Sequence, residues 1–172
     1  MKTIIIAFPL PPIVQKALQR LCYGLPQATW TAEQQFHVAL FRFRKVDGNT
    51  LLDIKESIAR IPPLPQSIAL DGVGSYWNKS KGGTVWVNVQ MNASLEKLLK
   101  EIPKSLKETK LEPDDRIQKP HVLLATCAAT PPHYLAAYLE ANAPFSLPPF
   151  EVDNLVVLSS LTTDKNIIYY LE

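Results

Sequence analysis

"PHVLLATC" (residues 120–127) echoes "FHVALFRF" (residues 36–43): each sets a histidine at the head of an apolar run, His121 in the second and His37 in the first. The chain has three histidines, and two of them hold matching places in its two halves, 84 positions apart (121 minus 37). Both runs have the length and the apolar character of a buried strand. Side chains two apart share a strand face, so simple alternation groups His37 with Ala39, Phe41 and Phe43, and His121 with Leu123, Ala125 and Cys127.

Working outward from these runs, the same order of elements flanks both. "TIIIAF" (3–8) is β-branched enough for a strand, and prolines suited to a helix start open "PPIVQKALQRLC" (11–22), where Ile13, Val14, Ala17, Leu18 and Leu21 form one stripe. "NTLLDIKESIARI" (49–61) reads as a second helix stopped by "PPLP". "QSIALDGVG" (66–74) and "GTVWVNVQM" (83–91) read as strands around an exposed turn, "SYWNKSKGG" (75–83). A third helix carries Leu95, Leu98, Leu99 and Ile102 behind a Ser94 cap, with Pro103 kinking or ending it, and "LEPDDRIQK" (111–119) is a loop. "PPHYLAAYLEAN" (131–142) is a fourth helix, and "PFEVDNLVVLSS" (149–160) and "NIIYYLE" (166–172) are closing strands. A helix before and after each histidine strand predicts a duplicated α+β unit in a single domain, residues 1–172, and not a parallel βαβ series.

Composition narrows the function. Apolar residues make up 47% and charged residues 20%, as in an ordinary folded domain, and a net charge of +2 would not by itself drive tight binding along a nucleic-acid backbone. Cys22 and Cys127 have no framework spacing, which points to a reducing, cytoplasmic setting. "MKTIIIAFPLPP" (1–12) superficially resembles a secretory leader, but its apolar run is short and broken by prolines, so it reads as the first strand. No run approaches the roughly 18 apolar residues of a membrane span.

A histidine on an apolar strand is ordinarily a satisfied core residue. Two histidines on matching strands are different, because they can face each other across a cleft. An imidazole with a pKa near about 6.5 holds either protonation state near neutrality, so one ring can accept a proton while the other donates one. Cleavage of a phosphodiester needs that pairing. Zinc fits poorly: it needs three converging ligands, Cys127 is far along the strand from His121, and His133 decorates the first turn of a helix. Neither cysteine neighbours a histidine as a thiolate nucleophile would, and no GxGxxG, phosphate-loop or CxxC motif occurs.

Four stretches, "IIIAFPLPPIVQKAL" (4–18), "TWTAEQQFHVALFRF" (29–43), "EPDDRIQKPHVLLA" (112–125) and "DNLVVLSSL" (153–161), make the chain similar nearly end to end to the two-histidine phosphoesterases, specifically the RNA 2′,3′-cyclic phosphodiesterases once called 2′-5′ RNA ligases. The resemblance implies an α+β fold that is bilobed and pseudo-symmetric, with two antiparallel sheets lining a central cleft and helices outside. It also implies a reaction without metal or cofactor that opens a cyclic phosphate to a 2′-phosphomonoester, with His37 and His121 as acid and base. The implied partner is an RNA or nucleotide with a cyclic phosphate end, met by a monomer with no obligate protein partner.

The chain departs from the family's motif two residues after each histidine. Where that motif has threonine or serine, this sequence has Ala39 and Leu123, and the arginine that often follows the second motif is absent. Thr126 offers a hydroxyl there, but alternation sends it to the face opposite His121. Substitute phosphate donors are Lys119, Arg42 or Arg44 if the first strand bulges, and Lys79 and Lys81. Tyr76 and Trp77 are candidates to stack a nucleobase, while Trp30 and Trp86 fit core packing better. The alternative to an enzyme is a nucleotide- or RNA-binding relative weakened in catalysis by the missing hydroxyls.

Overall fold

A computed structural model describes residues 1–80, 82–111, 119–163 and 167–172. Among the described residues nine strands are ordered β7-β4-β5-β6-β3-β1-β8-β9, with β2 beside β6, and every pairing between them is antiparallel. The strands are β1 Lys2–Pro9, β2 Thr29–Trp30, β3 His37–Val46, β4 Gln66–Asn78, β5 Gly82–Val89, β6 His121–Cys127, β7 Ser146–Val152, β8 Val156–Thr162 and β9 Ile167–Leu171. The helices are α1 Pro12–Gln19, α2 Gly48–Ala59, α3 Ala93–Ser105 and α4 Pro132–Asn142. The two expected sheets are present as two halves, and one residue pair, Ala39 with His121, joins them. Past that pair β2 takes over the β6 edge: Thr29 and Trp30 pair with Thr126 and Ala125, and the Thr31 hydroxyl donates to Leu123 O at 3.0 Å.

The helices α1 to α4 lie on one face. Val14 and Leu18, Ile54 and Ile58, Leu95 and Ile102, and Leu135 and Tyr138 share a core with Ile4, Ile6 and Phe8 of β1, Val38 and Leu40 of β3, and Val122 and Leu124 of β6. The opposite face carries a smaller cluster in which Val156, Leu158 and Tyr169 pack against Ile5, Ala7 and Ala39. It is the face on which the histidines stand.

Several local expectations change. Ile13 is 78% exposed, because a helix of eight residues presents only Val14 and Leu18 to the sheet. Asn92, not Ser94, caps α3 by accepting from Leu95 N at 2.8 Å, and Ser94 instead donates to Gln66. Pro103 sits in the last turn of α3, where few backbone bonds remain to lose, and the helix runs on to Ser105. Residues 149–160 are not one strand: the chain breaks at Asp153 and Asn154 and crosses from the β7 edge to β8 beside β1. The turn expected over 75–83 shrinks, because β4 runs on to Asn78, whose side chain accepts from Ser80 N at 2.8 Å. Most of the loop expected over 111–119 lies outside the described residues.

The largest departure is from simple alternation. Between β1 and β3, Ile6 faces Phe41 while the next residue, Ala7, faces Ala39, so Leu40 is an extra residue. Between β5 and β6, Trp86 faces Leu123 and Val85 faces Ala125, so Leu124 is an extra residue. Each bulge falls three residues after its histidine. Beyond a bulge the two faces exchange, so the histidine face continues as His37, Ala39, Arg42 and as His121, Leu123, Thr126. Burial agrees on β6: Leu124 and Ala125 are buried in succession, while Leu123 and Thr126 are half-buried. Ala125 and Cys127 therefore face the helices, and Thr126 shares a face with His121, the reverse of the simple expectation.

Candidate active site

The same local device holds both imidazoles. His37 Nδ1 lies 2.8 Å from Gln35 O and His121 Nδ1 lies 3.0 Å from Lys119 O, each the carbonyl two residues upstream. A carbonyl only accepts, so the proton sits on Nδ1 in both rings, and a neutral ring keeps Nε2 as its open acceptor. His121 stands beside Ala39, and His37 lies two residues from Ala39 on the same face, so the histidines are diagonal neighbours. That relation puts their Cα atoms about 7–8 Å apart.

Desolvation is the first influence on both rings and favours their neutral forms. It holds the His37 pKa below the usual 6.5, against the opposing carbonyl bond and with help from the charge of His121. Burial likewise lowers the pKa of His121, with the carbonyl of Lys119 opposing and Arg42 adding repulsion. The influence of His121 on His37 fits the short separation, and Arg42 lies near enough to His121 to act on it.

Ala39 and Leu123 both stand on the histidine face, and neither carries a hydroxyl. The Tyr169 ring from β9 packs on the Ala39 cluster and meets His37 edge-on, with ring centroids 4.6 Å apart. Burial raises the Tyr169 pKa and Arg42 opposes the rise. Sequence reading missed this residue; the only signal was an alanine where the resemblance implies a larger side chain. On the other side Trp86 lies 5.7 Å from His121, centroid to centroid, and its indole N–H donates to Asn88 at 3.0 Å. Trp86 is thus on the open face and not in the core, whereas Trp30 packs against the core and lies 6.1 Å from Tyr138.

The remaining candidates divide by strand face. Tyr76 pairs with Thr84, which pairs with Thr126, so Tyr76 lies on the histidine face; Trp77 alternates to the opposite face, beside Gly83. The side chains of Lys119, Arg44 and Lys79 are exposed, Lys119 meeting the site through its carbonyl, and Lys81 lies outside the described residues. His133 is exposed on the first turn of α4. Among the described residues no three histidine, cysteine or acidic side chains gather as metal ligands, and no helix is long and apolar enough to cross a membrane. A cavity of about 600 Å³ between α2, α3 and the C-terminal residues is lined by no histidine or cysteine among the described residues.

Known proteins resemble this chain in sequence and in fold. A family model described as the 2′-5′ RNA ligase superfamily matches residues 9–164. An RNA 2′,3′-cyclic phosphodiesterase of Thermotoga maritima is 26% identical over 161 residues, covering 91% of this chain and 81% of that protein. One of Geobacillus stearothermophilus is 26% identical over 153 residues, which is 83% of this chain; the chain spans about half (49%) of that relative's length. A solved structure from Thermus thermophilus superposes with a TM-score of 0.78 at 18% identity, covering 98% of this chain and 94% of the other, which establishes the shared fold. With a matching family model over most of its length and the same fold, the chain belongs to the 2′-5′ RNA ligase superfamily.

Proposed function

We propose that the protein hydrolyses 2′,3′-cyclic phosphates at the ends of RNA or on nucleotides, by acid–base catalysis between His37 and His121. The observation that carries this reading is the matched pair of rings, each with Nδ1 held by a carbonyl, standing as diagonal neighbours on one sheet face, His37 buried beside Tyr169 and His121 half-buried. Water attacks phosphorus and gives a proton to the bare Nε2 of one ring; the bond from phosphorus to O3′ breaks, and O3′ takes the Nε2 proton of the other ring, which enters the step as the imidazolium. The more deeply buried His37 is the better disposed to be neutral and serve as base, leaving His121 as acid. Arg42, brought onto this face by the bulge at Leu40, supplies positive charge to the phosphoryl oxygens in place of the hydroxyls missing at 39 and 123.

The test is turnover of a 2′,3′-cyclic mononucleotide by the wild type and by His37→Asn and His121→Asn variants shown by circular dichroism to be folded. Each substitution is expected to lower kcat by about 10²–10⁴, the range for a positioned acid or base. Turnover that is absent in the wild type, or unaffected in both variants, removes the proposal. The apolar pair Ala39 and Leu123 favours a second reading, a cleft that binds the nucleotide without cleaving it. Calorimetric binding without turnover would select it.

A further inference from the structure

Resting on the hydrolytic reading, we infer that the β4–β5–β6 half of the histidine face is a two-rung seat for single-stranded RNA: Trp86 stacks the base of the terminal nucleoside, and Thr126, Thr84 and Tyr76 hold the nucleotide 5′ to it. Cross-strand partners share a face, so the register lays out the surface rung by rung. His121 and Asn88 form the first rung, Leu123, Trp86 and Gly74 the second, and Thr29, Thr126, Thr84 and Tyr76 the third. The third rung exists only because the Leu124 bulge turns Thr126 to this face.

The second rung is built as a platform. The Trp86 indole lies against the backbone at Gly74, where any Cβ would stand 2.6 Å from its Nε1, and its hydrogen bond to Asn88 fixes the ring plane. The indole remains half-exposed and adjoins His121, so a base stacked on it belongs to the nucleoside whose phosphate meets the histidines. The third rung is different chemistry: three threonines in register across β2, β6 and β5, ending in Tyr76, which is 61% exposed. Hydroxyls donate to phosphate oxygens and exchange hydrogen bonds with a ribose 2′-hydroxyl, and the phenol ring offers a second stacking surface. Two residues of strand advance about 6.6 Å, close to the backbone step of one extended nucleotide.

The experiment measures calorimetric affinity for a 2′-phosphate mononucleotide and a 2′-phosphate-ended dinucleotide, together with kcat and KM on the corresponding cyclic phosphates. The dinucleotide is expected to bind more tightly. Trp86→Ala should weaken both ligands by about 5- to 150-fold, the range for loss of one stacked base, and Trp86→Phe should recover much of that loss. The Thr84→Val/Thr126→Val double variant, with Tyr76→Ser beside it, should shrink the dinucleotide's advantage over the mononucleotide. Equal affinity for the two ligands in the wild type, or an advantage that survives these substitutions, overturns the seat. Absence of turnover with the affinity pattern intact overturns the hydrolytic reading and leaves the seat standing.

Discussion

Arg42 and Thr126 occupy equivalent places, each five residues after its histidine and two beyond its bulge, so moving the arginine from one to the other tests the site's symmetry. Arg42 lies two residues of strand past Ala39, which stands opposite His121. At about 3.3 Å per residue and about 4.8 Å between strands, its Cα is about 8 Å from that of His121, within reach of an extended arginine. Thr126 holds the matching place on β6, two residues of strand past Leu123 on the histidine face, where β2 borders the strand. Arg42→Gln should lower kcat/KM on a cyclic mononucleotide by about 10²–10³, or about 2.7–4 kcal/mol, the cost of losing one preorganised donor at a developing charge. It should also raise the His121 pKa, because a repelling cation is gone, and shift that limb of the pH profile upward. Adding Thr126→Arg in the same chain should recover at least about tenfold of the lost kcat/KM, since the new guanidinium approaches the phosphoryl group from the symmetry-related side. Stopped or coupled assays of phosphomonoester release read all three proteins. A double variant no better than Arg42→Gln would refute the equivalence and the role given to Arg42.

Both histidines have depressed folded-state pKa values, so the unfolded chain binds more protons below about 6.5 and stability should fall as pH drops through that window. Melting curves between pH 8 and pH 5 check this, and His37→Asn should flatten the slope; an unchanged slope would count against a buried neutral imidazole. Removing the α2 cap by Asp47→Ala, which deletes the bond from Thr50 N at 2.8 Å, should cost about 1 kcal/mol and lower Tm by about 2–4 °C. Leu124→Ala, at a fully buried position, should cost about 2–5 kcal/mol in denaturant titration, which also tests whether this bulged residue faces the helices as described. Gly74→Val should displace the indole of Trp86 and raise KM, with kcat falling less; an unaltered KM would argue that the ring does not meet substrate.

Much of the architecture was legible because apolar spacing is set by burial. The helices, the histidine strands and their duplication follow from stripes and runs that the core confirms, such as Val14 with Leu18 and Ile54 with Ile58. Errors came where one local signal served two structures. Glycines and lysines near residue 80 read as a long loop, yet the hairpin needs only a short turn: Gly82, at φ +76°, passes so close to Cys127 O that any side chain would clash. Ser94 looked like a helix cap because serine suits that role, but Asn92 stood two residues earlier with the same chemistry. Tyr169 was invisible because its contact with His37 joins residues 132 positions apart (169 minus 37) with no shared motif.

The bulges explain why the site itself was half legible. A period of two assigns faces only while the ladder is regular, and a single extra residue reverses every assignment beyond it. "HVALFR" and "HVLLAT" show the extra residue only as consecutive apolar positions, which a strand buried on both faces would show as well. What breaks the ambiguity is repetition. Without the extra residues, simple alternation would set Phe41, Phe43, Ala125 and Cys127 on the histidine face and bury Arg42 and Thr126 among the helices. Burying an arginine there carries a desolvation cost that a bulge avoids by turning the side chain towards the cleft. The polar residue five places after each histidine is therefore the mark of the bulge, and an apolar residue at both places would have argued for an unbroken ladder.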